Sequence, residues 1–144
     1  MAGIQRSSAA RALARKLALQ ALYSWQLNAR PWQDLVNEFA TDADMPRADG
    51  DYFRLLVQGV CEGSAALDEA LAPYLNVKAP QLDAIEHAVL WVAAYELRLQ
   101  PDLPYRVSIN EAVNLAKRFG ATDGHKFVNA VLDRAARDWR PHER

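Results

Sequence analysis

Apolar residues recur at helical spacing along most of the chain, and the breaks between them predict six helices. Ser7 or Ser8 can cap the first, which is expected to run to about residue 28. Its Ala10, Leu13, Ala14, Leu17, Ala18, Ala21, Leu22 and Trp25 follow the i, i+3, i+4, i+7 template without a gap. Arg11 and Arg15 flank this stripe, and Leu19 and Tyr23 fall with Lys16 and Gln26 on the opposite, solvent-facing side. That outward pair is either a surface pair, a pair covered by a later helix, or an anchor for another protein, where tyrosine is enriched. Pro31 favours the start of a short second helix with Trp32, Leu35, Val36 and Phe39 on its core face. Residues 41–50 are acidic and read as a surface loop. A third helix then buries Phe53, Leu56, Val57, Val60, Leu67 and Leu71 until Pro73 ends it.

Residues 76–80 mark the expected boundary between two lobes. The fourth helix follows, to about residue 100, and is apolar nearly all round from Leu82 to Leu97, which predicts a central, buried position. Glu96 lies on its inward side and needs a structural partner, because an isolated buried carboxylate is too costly. Glu86 sits on a flank. Ser108 and Glu111 have the S-x-x-E spacing of a capping box, predicting that the fifth helix opens at Ser108 with Ile109, Ala112, Val113, Ala116 and Phe119 inward. Gly120 stands where a left-handed C′ glycine would end that helix. Thr122 or Asp123 can cap the last, whose stripe is Phe127, Val128, Val131, Leu132 and Ala135. A helix hairpin accounts for this pattern. It does not account for Asp123, His125, Lys126 and Asn129 clustered in the joint, a location proteins often use for recognition.

A chain of 144 residues, 51% hydrophobic and 24% charged, can fold as one all-helical domain, with lobes of about 1–75 and 76–144. No run approaches the roughly 18 apolar residues that span a bilayer, and the N-terminus lacks the order of a secretion signal. No membrane association and a cytoplasmic location are expected. The single cysteine, Cys61, reads as a small core residue. The formal charge of −1 is unevenly spread: residues 1–33 carry five cations and no acid, residues 34–111 carry 14 acids against five bases, and residues 112–144 carry seven bases against four acids. Two basic ends on an acidic middle are a footprint of polyanion binding, and also a common aid to solubility.

Nothing in the sequence has catalytic spacing. A glycine-rich phosphate loop, an H-E-x-x-H motif and a cysteine–histidine cluster are all missing, His87, His125 and His142 are scattered, and Asp68 and Glu69 fall on a solvated face. No catalysis, cofactor or metal is expected. Taken by themselves these patterns describe a helical domain with one basic end and leave its function open.

The segment 18–26 (ALQALYSWQ), Pro73-Tyr74-Leu75, Ala88-Val89-Leu90, Ala94-Tyr95-Glu96-Leu97, residues 107–116, and Phe119-Gly120 through Lys126-Phe127-Val128-Asn129 together resemble the NusB family of bacterial transcription antitermination factors. The resemblance covers nearly the whole chain in order. It implies two roughly perpendicular three-helix bundles, binding of boxA-type single-stranded RNA in ribosomal RNA operon leaders, and a small-subunit ribosomal protein acting as NusE as partner. It also implies action within the antitermination complex of RNA polymerase. By that resemblance Arg11, Arg15, Gln20, Asp123, Lys126 and Phe127 are the RNA-binding positions, with Arg6 and Lys16 as cations that can compensate for a thin arginine run, and Tyr23 and Glu86 meet the protein partner, with Leu19 beside Tyr23 on the outward face of the first helix. The family's arginine run is thinner here, with Ala12 and Leu13 where further arginines are common. Trp91 replaces a usual arginine, and Gly124 and Ala130 a common serine and glycine. Phe127 fits core packing and base stacking equally, and Asp123 fits a cap or an RNA contact. The alternatives to an antitermination factor are a helical protein–protein adaptor, or the RNA-binding module of an RNA-modifying system.

Overall fold

The computed structural model describes residues 7–143, which form six α-helices with short 3-10 turns between α2 and α3, between α3 and α4 and after α6, and no strand among the described residues. They fall into two compact units, Met1–Glu62 and Gly63–Arg144, which divide inside the third helix. No helix is long and apolar enough to cross a membrane among the described residues.

The first unit holds α1 (Ser8–Leu27), α2 (Trp32–Phe39) and the first half of α3 (Gly50–Leu71). Ser7 caps α1 as its sequence predicts, its Oγ accepting the Ala10 N–H at 3.0 Å. Leu17, Leu22, Leu35, Phe53 and Leu56 are fully or almost fully buried, and the Phe39 and Phe53 rings meet at 6.0 Å. For Leu19 the structure selects burial, one of the alternatives the sequence leaves open, over an outward anchor. Leu19 is 0% exposed, enclosed with the main stripe of α1, whereas Tyr23 stays 37% exposed. Helical periodicity identifies the most apolar face of a helix, not how much of its circumference neighbours will cover.

Residues 41–50 also differ from the expected surface loop. They turn through a 3-10 helix at Met45–Arg47 and then bury Ala48 and Asp49. The Asp49 N–H donates to the Ala10 carbonyl at 3.0 Å, and Asp49 Oδ1 accepts the Tyr52 N–H at 3.0 Å. One aspartate thus ties the start of α3 to α1 and caps α3.

The second unit holds the end of α3, α4 (Ala84–Leu99), α5 (Tyr105–Phe119) and α6 (Gly124–Trp139), with α4, α5 and α6 mutually packed. Every residue of α4 from His87 to Leu97 is buried, as its all-round apolar sequence predicts. Glu96 is 1% exposed and accepts the Ser108 hydroxyl at 2.8 Å. That bond overturns the capping box. Helix α5 begins at Tyr105, directly after Pro104, so Ser108 lies inside the first turns and faces inward. Proline presets the backbone for a helix start, and the buried carboxylate competes for the hydroxyl that the S-x-x-E spacing assigns to a cap.

The C-terminal end of α4 is closed by a side chain distant in sequence. Arg140 is 8% exposed and donates to the carbonyls of Leu97 (2.7 Å), Gln100 (2.9 Å), Leu103 (3.0 Å) and Glu96 (3.3 Å). It also pairs with Glu143, whose other oxygen accepts the Tyr105 N–H at 3.0 Å. Helix ends leave carbonyls without intrahelical partners, and a guanidinium there meets both the bonds and the helix dipole.

Candidate nucleic-acid interface

The joint between α5 and α6 has a geometry that its sequence only partly discloses. Gly120 is not left-handed: its φ is −88° and ψ −179°. Its N–H bonds the Ala116 carbonyl at 2.9 Å, and a Cβ here would lie 2.8 Å from that same oxygen, so glycine is required for close approach to the helix end. The left-handed residue is Asp123, at φ 66°. Aspartate tolerates this region better than most residues. The same backbone angle defeats the expected cap, because capping side chains reach the helix amides from an extended backbone. Asp123 occupies the position before α6, yet its carboxylate accepts no capping hydrogen bond. It lies instead 3.3 Å from Lys126 Nζ, with both side chains largely exposed.

Within α6, Val128, Val131, Leu132 and Ala135 are buried and Phe127 is half-buried, which leaves part of its ring accessible. Glu86 of α4 packs against Gly124, where any Cβ would overlap its carboxylate. Burial there, reinforced by nearby Asp83, raises the Glu86 carboxyl above its ordinary range. Glycine at 124 therefore makes room for Glu86. On the last turn of α5, Lys117 and Arg118 are exposed, and the Arg118 guanidinium lies over the Phe119 ring at 4.9 Å.

The basic run on α1 is a different matter. Arg15 is 3% exposed, so the expectation that it reaches RNA directly is corrected: its guanidinium lies over the Tyr52 ring at 5.4 Å. Arg11 lies over the same ring at 4.4 Å, with Nε 3.7 Å from Asp49. Lys16 is paired with Asp44, which also binds Arg47, and the hydrogen bond from Lys16 holds the Asp44 carboxyl below its ordinary range. Sequence periodicity places these cations on α1 but says nothing of carboxylates returning from residues 41–50. Gln20 is half-buried and Tyr23 exposed. Arg6 lies outside the described residues. One turn beyond Tyr23, Leu27 is 68% exposed, an outward apolar residue that the sequence stripe alone does not single out.

Trp91 is buried, its Nε1–H donating to Asp68 Oδ1 at 2.9 Å, and His87 Nε2 meets the same oxygen at 2.7 Å. The two ring centroids lie 4.0 Å apart, with the planes tilted by 37°. Asp68 is thus engaged with α4 rather than facing solvent alone. Cys61 is half-buried, and burial pushes its thiol up to about 11, which suits a packed residue and not a nucleophile.

The chain's similarity to known proteins is extensive. The model of the NusB family matches residues 12–137. A relative from Idiomarina loihiensis, called transcription antitermination protein NusB, is 53% identical over 92% of this chain and 96% of its own. Among solved structures, NusB of T. maritima superposes with a TM-score of 0.79 at 27% identity, covering 93% of this chain and 94% of its own. A NusB solved with NusE and dsRNA shares the fold, with a TM-score of 0.79 at 22% identity over 92% of this chain and 99% of its own. This chain belongs to the NusB family.

Proposed function

We propose that this protein is a transcription antitermination factor that acts by binding and not by catalysis. In this reading it recognises boxA-type single-stranded RNA of ribosomal RNA operon leaders, pairs with a small-subunit ribosomal protein acting as NusE, and joins elongating RNA polymerase in the cytoplasm. The observation that carries the reading is the 53% identity, along almost the full length of both chains, to a protein called transcription antitermination protein NusB. A fold shared with a NusB solved beside NusE and dsRNA supports RNA and protein as the two partner classes.

The site geometry supports a particular division of labour. Lys126 offers an exposed ammonium to phosphate, the accessible part of Phe127 a stacking face for a base, and Asp123 restrains Lys126 through their ion pair. On α1, Arg11 and Gln20 remain candidate contacts, Lys16 joins them once released from Asp44, and Arg15 acts through packing on Tyr52. Tyr23 and Glu86 are the proposed contacts to the ribosomal protein. Leu19 leaves that set because this chain already encloses it.

Gel-shift titration tests the reading, using a boxA-like RNA and a scrambled RNA of equal composition, each with and without the ribosomal protein. Preference for the boxA-like RNA, strengthened by the ribosomal protein, is the expected result. Equal binding of both RNAs, or none of either, would favour a helical adaptor whose basic end is incidental.

A further inference from the structure

Arg11 and Lys16 of α1 each have a carboxylate partner and Arg15 is buried over the Tyr52 ring, whereas the cations on the last turn of α5 are exposed and have no carboxylate partner among the described residues. Lys117 and Arg118 are exposed, and neither forms an ion pair among the described residues. Arg118 has a ring partner instead, lying over Phe119 with its guanidinium carbon 4.9 Å from the ring centroid. A guanidinium held over an aromatic ring on one side, on an exposed side chain, keeps its opposite face open. Arginine planes and aromatic rings are the two surfaces on which proteins stack unpaired bases. Holding the guanidinium over the ring also reduces the rotamer freedom that a base would otherwise have to quench.

The surroundings favour an anion-bearing ligand. Three carboxylates lie near this joint, of which Asp83 caps the start of α4. Asp123 is already paired with Lys126, and Glu86 is packed against Gly124. Lys117 and Arg118 therefore present charge that the joint does not neutralise. A basic last turn also complements the dipole of its own helix, and that role asks only for a positive charge. Arginine on an aromatic ring offers more than charge.

We infer that Arg118, supported by Phe119, is a stacking platform for one base of a single-stranded RNA, with Lys117 beside it to meet the backbone phosphate. The inference rests on the RNA-binding function proposed above and adds to it a contact that the family resemblance does not supply.

The full-length protein carries the test, with a boxA-like single-stranded RNA in which 2-aminopurine replaces each base in turn. The wild type should change the fluorescence of the probe at one position more than at the others. Arg118→Ala should abolish that change and weaken binding about tenfold, the loss of one stacked base. Arg118→Lys keeps the charge and should restore neither the fluorescence change nor more than a small part of the affinity. Both variants should melt with the wild type, since the side chain is exposed. Affinity within twofold of wild type in Arg118→Ala, or full recovery in Arg118→Lys, would overturn the platform. A wild type that binds no RNA would remove the proposed function and the platform together, whereas a binding wild type with an unaffected Arg118→Ala removes the platform alone.

Discussion

Replacing Arg140 by methionine, a side chain of similar reach with no donor, tests whether the far end of α4 is held by one guanidinium. Three of its bonds to main-chain carbonyls span 2.7–3.0 Å and a fourth 3.3 Å. A hydrogen bond from a charged donor contributes roughly 1.5–3 kcal/mol. Taking the low end for the three short bonds, and returning about 2 kcal/mol of side-chain entropy to the freed chain, leaves a loss of about 2.5 kcal/mol. A domain of this size shifts its Tm by roughly 3 °C for each kcal/mol, so Arg140→Met should melt about 8 °C below the wild type. Arg137 provides the control on the same helix. It is exposed and pairs with half-exposed Asp133 at 3.1 Å. Pairs of that kind contribute about 0–1 kcal/mol, so Arg137→Ala should melt close to the wild type. Differential scanning calorimetry at neutral pH measures both. If Arg140→Met melts within about 3 °C of the wild type, water satisfies those carbonyls as well as the guanidinium does, and the α4 end is not fixed by Arg140.

Three further outcomes are expected. Leu19→Ala, in a fully buried site, should destabilise the fold by about 3 kcal/mol; Tyr23→Ala should leave the melting curve almost unchanged and weaken the ribosomal partner by about 2 kcal/mol, and a reversal of the two phenotypes in melting and pull-down titrations would refute the exposure assignments. Glu86 has its carboxyl raised by burial and then by Asp83, so its favourable contribution belongs to the protonated form and is lost as pH rises through the folded pKa. Glu86→Gln should accordingly be more stable than the wild type at neutral pH, with the advantage fading towards about pH 4, and a pH-independent difference between the two melting curves would rule the explanation out.

Much of the helical framework was legible because its signals are local. A serine before an apolar stripe started α1, continuous apolarity centred α4, and Gly120 closed α5, whose observed start at Tyr105 lies three residues before Ser108. The misreadings share a physical cause, competition from partners far away in sequence. Ser108 has the spacing of a cap and spends its hydroxyl on Glu96. Asp123 has the chemistry of a cap and a left-handed backbone that prevents it. Leu19 lies off the main stripe and is buried regardless. At the candidate interface, sequence located the joint and its polar residues, and it named the cations of α1. It could not show that Asp44, twenty-eight residues on, would return to Lys16, nor that Arg15 would be enclosed beside Tyr52.

The Lys16–Asp44–Arg47 cluster has a consequence for how RNA binding would respond to salt. Affinity for a polyanion falls with added salt because each cation that meets a phosphate releases a condensed counterion, giving a log–log slope of roughly 0.7 per contact on single strands. A lysine that must leave a carboxylate frees a counterion from the RNA but exposes an anion that gathers a cation from solution. The exchange is then nearly neutral in ions. Contacts made through Lys16 would hold their strength as salt rises, and a slope counted from this chain's basic residues would overstate the one measured.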